Sequence, residues 1–270
     1  MAKSVFLPLV ILLVLTSGCG WAITNRMRSQ GLAAFSGSTG ALIIDPGHGG
    51  HDSGAFHHHL QEKELALDIG KRVRRYLQGS RLEVVMTHDT DRFIPLDSRA
   101  ALANRLRAQL FVSIHINANT DPEVSGAEVY YPRESVIPLT APWPAFVQPT
   151  DVGTSSNLVK QILWDMVMTR QRFWAQQLAS SICGSLQESL SVGCVTKEAR
   201  FVVLREAWMP AVLVEVGYVS NRAEAKRLEQ ESYREAAADA IARGVITYLQ
   251  QRGSSSTVTD APHSSAHRSF

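Results

Sequence analysis

Four short segments of this chain carry side chains that their surroundings do not explain. In Asp45-Pro46-Gly47-His48-Gly49-Gly50 an imidazole sits in a glycine-rich turn, where the backbone bends sharply and leaves the ring accessible. No Gly-Lys-Ser/Thr follows to complete a phosphate loop; taken alone, His48 reads as a turn residue. Glu62 stands three residues before Leu65 and seven before Ile69, on the inward face of a stripe continued by Val73 and Tyr76. A carboxylate on that face is costly unless a cation or a donor receives it, whereas an ordinary first-turn glutamate would only complement the helix dipole. In Leu110-Phe111-Val112-Ser113-Ile114-His115-Ile116-Asn117, apolar residues fill one face of a strand and Ser113, His115 and Asn117 gather on the other. Finally, Val212-Leu213-Val214-Glu215-Val216-Gly217 embeds a carboxylate in a strongly strand-forming run. An unpaired buried glutamate holds its proton more tightly, which suits proton transfer; the plainer reading is a buried salt bridge, for instance with Arg205.

Two histidines and a carboxylate form a common catalytic zinc set with a fourth position left for water, and a further glutamate off the metal would serve as base. His48, Glu62 and His115 supply the first set and Glu215 the second. Other histidines compete less well. His51 and the run His57, His58 and His59 lie in the loop between two of these ligands, and adjacent histidines cannot all converge on one ion.

The elements that must position these groups alternate. Strands are expected at Ala41–Asp45, Leu82–Met86, Leu110–Ile116, Ala127–Tyr131, Phe201–Leu204 and Ala211–Val216. Helices are expected at Glu62–Gln78, Leu96–Arg107, Leu158–Leu190, Arg222–Leu228 and Tyr233–Gln250. Such alternation predicts an α/β fold: one domain with a mostly parallel twisted sheet flanked by helices on both faces. Active sites of such folds form beyond the carboxyl ends of strands, where His48, His115 and Glu215 stand. Between Tyr131 and Leu158 runs a long Pro-rich stretch with Trp143 and Phe146; loops of this length are often functional, and this one is expected to border the substrate groove.

At 270 residues and 45% apolar composition, the chain can bury one sizeable core, and a formal net charge of +2 gives no footing for nucleic acid. Residues 1–19 form an export segment: Lys3, an apolar run from Val5 to Leu15, then small residues before Cys19. That run is shorter than the roughly 20 apolar residues needed to span a membrane. Leu15-Thr16-Ser17-Gly18-Cys19 resembles a bacterial lipobox, with Thr16 where leucine is usual, so a lipid anchor on Cys19 and an ordinary signal cleavage both stand. Residues 20–40 read as a linker, 41–251 as the domain and 252–270 as a disordered tail. Cys183 and Cys194 read as small buried hydrophobes in preference to a disulfide, although an oxidising compartment would permit one.

Taken in order across residues 41 to 250, Asp45 to Gly50, Glu62-Lys63, Ser113 to Ala118 and Val212 to Asn221 resemble the zinc-dependent N-acetylmuramoyl-L-alanine amidases, a family that includes bacterial cell-division amidases. The resemblance implies one zinc ion on His48, Glu62 and His115, with Glu215 as catalytic acid/base. It also implies cleavage of the amide between N-acetylmuramic acid and the L-alanine of the peptidoglycan stem, in wall remodelling or daughter-cell separation. Asp45 would orient His48 or cap its turn. Peptidoglycan or a lipid-linked muropeptide would be the substrate, in the periplasm or cell envelope, with a protein activator as a further partner. Where relatives often carry Thr-Arg-x-x-Asp, this chain has Thr87-His88-Asp89-Thr90-Asp91, which alters a basic contact. A zinc peptidase acting within the stem and a non-catalytic wall-binding module are the alternatives; the presence of all four site residues disfavours the second.

Overall fold

The computed structural model describes residues 40–80, 82–133 and 157–257. The export segment, Cys19, the linker up to residue 39 and the Pro-rich stretch from residue 134 to 156 lie outside the described residues.

Eight strands and six helices are described: β1 Ala41–Pro46, β2 Phe56–His57, β3 Leu60–Gln61, α1 Glu62–Leu77, β4 Glu83–Met86, α2 Leu96–Arg105, β5 Leu110–Asn117, β6 Ala127–Pro132, α3 Asn157–Leu190, β7 Cys194–Ala199, α4 Val202–Arg205, β8 Ala211–Tyr218, α5 Arg222–Glu229 and α6 Glu231–Thr257. Six strands form one sheet in the order β4-β1-β5-β8-β6-β7, and β2 and β3 make a separate small hairpin. Every pairing in the large sheet is parallel except β6 with β8. The mostly parallel α/β domain expected from the alternation is therefore the observed one.

Sheet position follows composition. β1 and β8 are buried along their whole length, as near-continuous apolar runs must be when helices cover both faces. On one face Ile43, Phe111 and Leu213 pack with Ala103 of α2 and with Val203 and Leu204 of α4. On the other lie α1, α3 and α6. Leu65, Ile69 and Val73 supply the buried stripe of α1. Where α6 crosses α3, a Cβ on Gly244 would stand 2.5 Å from the Ile182 backbone, so glycine permits the close approach. Arg72 of α1 ties down α6 through Glu235 at 2.6 Å and Glu231 at 3.1 Å.

Three expectations are corrected. Phe201–Leu204 is not a strand: residues 202–205 form the one-turn helix α4, and its apolar side chains enter the second core layer. The sixth strand of the sheet is instead Cys194–Ala199, an edge strand whose middle residues are exposed. Pairing on one side only asks for no apolar alternation, so the pattern hid it. Residues 252–257, expected in the tail, continue α6. Cys183 and Cys194 are joined as a disulfide, tying the end of α3 to the start of β7. Their separation of 11 residues spans a helix end and a strand start, and that turn brings the Cα atoms to 5.5 Å.

Candidate metal centre

β1 and β5 are parallel neighbours, with Pro46 in register with Ile114, so the His48 turn leaves the sheet beside His115. The turn is anchored where Gly47 N–H donates to Ile114 O at 2.8 Å. His48 has φ of +60°, a left-handed conformation that costs a non-glycine residue energy and persists only when its surroundings hold it. Arg99 does the holding. Buried to 2% exposure, it donates to Pro46 O and His48 O at 2.6 Å each and to Asp45 Oδ1 at 3.1 Å. Asp45 also accepts Thr87 Oγ1 at 2.7 Å and Ser113 Oγ at 2.8 Å. None of these partners is the His48 ring, so of the two roles expected for Asp45, orienting His48 or capping its turn, its bond to the Arg99 that holds His48 O fits the second. Asp52 takes the first, with Oδ2 2.9 Å from His48 Nδ1.

Glu62, the first residue of α1, reaches between the two imidazoles. Its Oε2 lies 3.0 Å from His48 Nε2 and accepts Ala55 N–H at 2.9 Å; its Oε1 lies 2.7 Å from His115 Nδ1 and accepts Ile116 N–H at 3.2 Å. Burial pushes the Glu62 carboxyl upward, but the hydrogen bonds and charges of His115 and His48 outweigh it and hold the group well below the usual carboxylate range. For His48, burial works against the charged ring, and the hydrogen bonds and charges of Glu62 and Asp52 prevail and raise its pKa. One ligand atom from each of His48, Glu62 and His115 falls within 4.8 Å of the others. Two glycines make the cradle: a Cβ on Gly47 would stand 2.4 Å from the His115 ring, and one on Gly54 (φ +64°) 2.5 Å from Glu62 Oε2 and 2.6 Å from His48 Cδ2. Two imidazoles and a carboxylate, with hydrogen bonds orienting ring and carboxylate alike, make a donor set that fits zinc.

Glu215 stands beside His115, its register partner across β5 and β8. Only 8% exposed, its Oε2 has no hydrogen-bond partner among the described residues. Arg205, the salt-bridge partner considered above, pairs with Glu206 instead. Burial first, and then the charges of Glu62 and Glu128, push the Glu215 carboxyl well above its ordinary value. Glu128, opposite Glu215 on β6, has a contrary environment. It accepts Tyr218 Oη at 2.8 Å and Lys197 Nζ at 2.5 Å, and Tyr130 Oη as well. Burial would raise Glu128, but these donors win and lower it.

His48, Glu62 and His115 come together as a candidate metal cluster, and Glu215 lies on the neighbouring strand in register with His115. His51 packs on Phe93 with ring centroids 4.2 Å apart, and His57, His58 and His59 are exposed at the small hairpin. His88, where relatives often have arginine, is buried with its Nδ1 3.2 Å from Thr87 Oγ1. Asp52, Arg99 and Glu128 were missed. Asp52 is four residues from His48 in the same turn, a usable signal; Arg99 and Glu128 reach the site only through the fold.

The profile of a family described as N-acetylmuramoyl-L-alanine amidase matches residues 42–247. The chain is 33% identical over 243 residues to the N-acetylmuramoyl-L-alanine amidase AmiA of Escherichia coli K12, covering 84% of this chain and 82% of that one. It is 37% identical over 226 residues to the amidase AmiC of Neisseria meningitidis, covering 79% and 54%. Among solved structures, the amidase AmiC2 of Nostoc punctiforme superposes with a TM-score of 0.62 at 34% identity, over 80% of this chain and 99% of the other.

Proposed function

This chain belongs to the N-acetylmuramoyl-L-alanine amidases, and from that membership we propose how His48, Glu62, His115 and Glu215 divide the work. The activity itself is hydrolysis of the amide between N-acetylmuramic acid and L-alanine in peptidoglycan. One zinc ion per chain, held by His48, Glu62 and His115, would supply the Lewis acidity that makes water a nucleophile near neutral pH. Asp52 keeps the His48 ring turned so that Nε2 faces the centre, and Ala55 and Ile116 N–H fix the Glu62 carboxylate between the two rings.

Glu215 moves the proton. It takes one from the attacking water as the new bond forms to the amide carbon. It returns that proton to the alanine nitrogen as the C–N bond breaks, and so ends in the state in which it began. The observation that carries this role is the buried, unpartnered Oε2 beside His115. Burial disfavours the charged form of Glu215 and raises its proton affinity, whereas the donors around Glu128 favour its charged form.

Peptidoglycan lies in the cell envelope, and we place this chain there by export through residues 1–19, with residues 20–40 as linker and with either a lipid anchor on Cys19 or an ordinary signal cleavage. The Cys183–Cys194 disulfide supports an oxidising compartment. Mass analysis of products from purified muropeptides tests the reaction. Release of an intact stem peptide from the sugar, abolished by a chelator, is the expected result; fragments of the stem would make the enzyme a peptidase.

A further inference from the structure

The loops that follow β5 and β8, together with the β2–β3 hairpin, line a cleft of about 510 Å³, a size that suits a small ligand. Its lining includes His57, His58, Asn119, Glu123, Asn221 and Arg222. Each contributing segment continues from one that carries a site residue. Asn119 lies four residues past His115 and Arg222 seven past Glu215, and the hairpin bearing His57 follows Ala55, whose N–H binds Glu62. The two loops are joined, with Val219 N–H donating to Asn117 O at 2.8 Å and Asn119 N–H to Ser220 Oγ at 2.9 Å. The cleft therefore opens from the loops that leave the same strand ends as His115 and Glu215.

The lining is rich in donors, and its one guanidinium, on Arg222, has no acidic partner among the described residues. Side chains already engaged leave Arg222 available. Asn221 Oδ1 caps α5 by accepting Ala223 and Glu224 N–H, and its Nδ2 donates to Pro122 O. One carboxylate, Glu123, shares the wall. A cation and an anion on one lining suit a peptide that bears both a carboxylate and an ammonium better than a polyanion such as a phosphate chain.

We propose that this cleft is a specificity subsite for the stem peptide, in which Arg222 receives a carboxylate of the residue following the L-alanine. The inference rests on the amidase reading and adds to it which part of the substrate is read, and by which residue. Arg222 opens a surface helix whose cap does not involve its side chain, so replacing it leaves the fold intact.

The test uses the full zinc-loaded chain carrying Glu215→Gln, so that bound substrate is cut at least about 10²-fold more slowly than by the native chain. The probes are two N-acetylmuramoyl peptides that differ only in whether the carboxylate of the second stem residue is free or amidated. Calorimetry is expected to show the free carboxylate binding about 10-fold tighter, a charge-assisted hydrogen bond's worth. Adding Arg222→Gln should erase that difference, and Arg222→Lys should restore part of it. In the otherwise native enzyme, Arg222→Gln should raise KM for the free-carboxylate peptide and leave kcat unchanged. Equal binding of the two peptides, binding of neither, or equal weakening of both by Arg222→Gln overturns the subsite. Discrimination in binding without cleavage by the native chain would sink the amidase reading alone; cleavage without discrimination would sink the subsite alone.

Discussion

Glu62, at the start of α1, and Glu215, on β8, are both buried glutamates, 5% and 8% exposed, and their surroundings treat them in opposite ways. Around the turn that follows β1, charges are met. Glu62 has two imidazoles and two backbone donors, and Asp45 has Arg99, Thr87 and Ser113. At the end of β8, Glu215 faces other carboxylates and keeps one oxygen unpartnered. A fully bonded carboxylate is held in place and stays ionised, which is what a metal ligand requires. A desolvated carboxylate without donors exchanges protons, which is what a base requires. Glu128 sharpens the contrast, since it lies opposite Glu215 and behaves like Glu62 because Lys197 and two tyrosines supply donors.

The largest effect should come from breaking the bonded side of this comparison. Glu62→Ala removes the carboxylate that both imidazoles face, so bound zinc, read by atomic absorption, and amidase turnover should vanish together. Turnover without zinc would remove Glu62 from the centre. Glu215→Gln attacks the other side: turnover should fall by about 10²-fold or more, with zinc content unchanged. Its melting temperature should hold or rise, because a neutral amide is easier to bury than a charged acid. Loss of zinc in that variant would mean that Glu215 supports a ligand.

Smaller effects test the supports. Asp52→Ala should weaken zinc binding by roughly 10–100-fold in competition with a chelator, the usual cost of removing a hydrogen bond that orients a metal-bound histidine. Unchanged affinity would leave Arg99 as the holder of the turn. Far from the site, Cys183→Ser with Cys194→Ser should cost roughly 2–3 kcal/mol in denaturant unfolding, with zinc content and turnover preserved at moderate temperature. A change in zinc affinity would show that β7 and the centre are coupled.

The smallest effect concerns acid. Glu235 is drawn down to about 2 by its hydrogen bond to Arg75, with burial opposing and Tyr76 and Arg72 assisting. A carboxyl lowered in the folded state stabilises the fold above its ordinary value of 4.5, and that contribution is lost as pH falls from there toward 2. Glu235→Gln should therefore flatten the loss of stability across that window and leave neutral-pH turnover alone. An unchanged acid limb would assign the effect to other carboxylates.

Much of the centre was legible because its residues stand out by type. His48 among glycines, Glu62 on an apolar helix face, His115 at a strand end and Glu215 inside a valine-rich strand each break a local pattern. The strands that lead to His48 and carry His115 and Glu215 were legible from their apolar runs, Ala41 to Ile44, Leu110 to Val112 and Ala211 to Val214, all buried. The edge strand β7 was not, because an exposed strand paired on one side needs no apolar rhythm, and the short apolar run after it drew the assignment instead.

By itself the sequence determined the types and order of the candidate ligands and set His48 and His115 near the ends of parallel strands, since hydrophobic periodicity and residue chemistry are local properties. Tertiary structure alone decided which charge meets which. It gave Asp45 to Arg99 and left His48 to Asp52; it turned Arg205 away from Glu215 and brought Cys183 to Cys194. Pairing of this kind depends on ångström-scale distances between segments far apart in the chain. A carboxylate is a ligand, a brace or a base according to the donors that reach it, and those donors arrive only when the sheet is assembled.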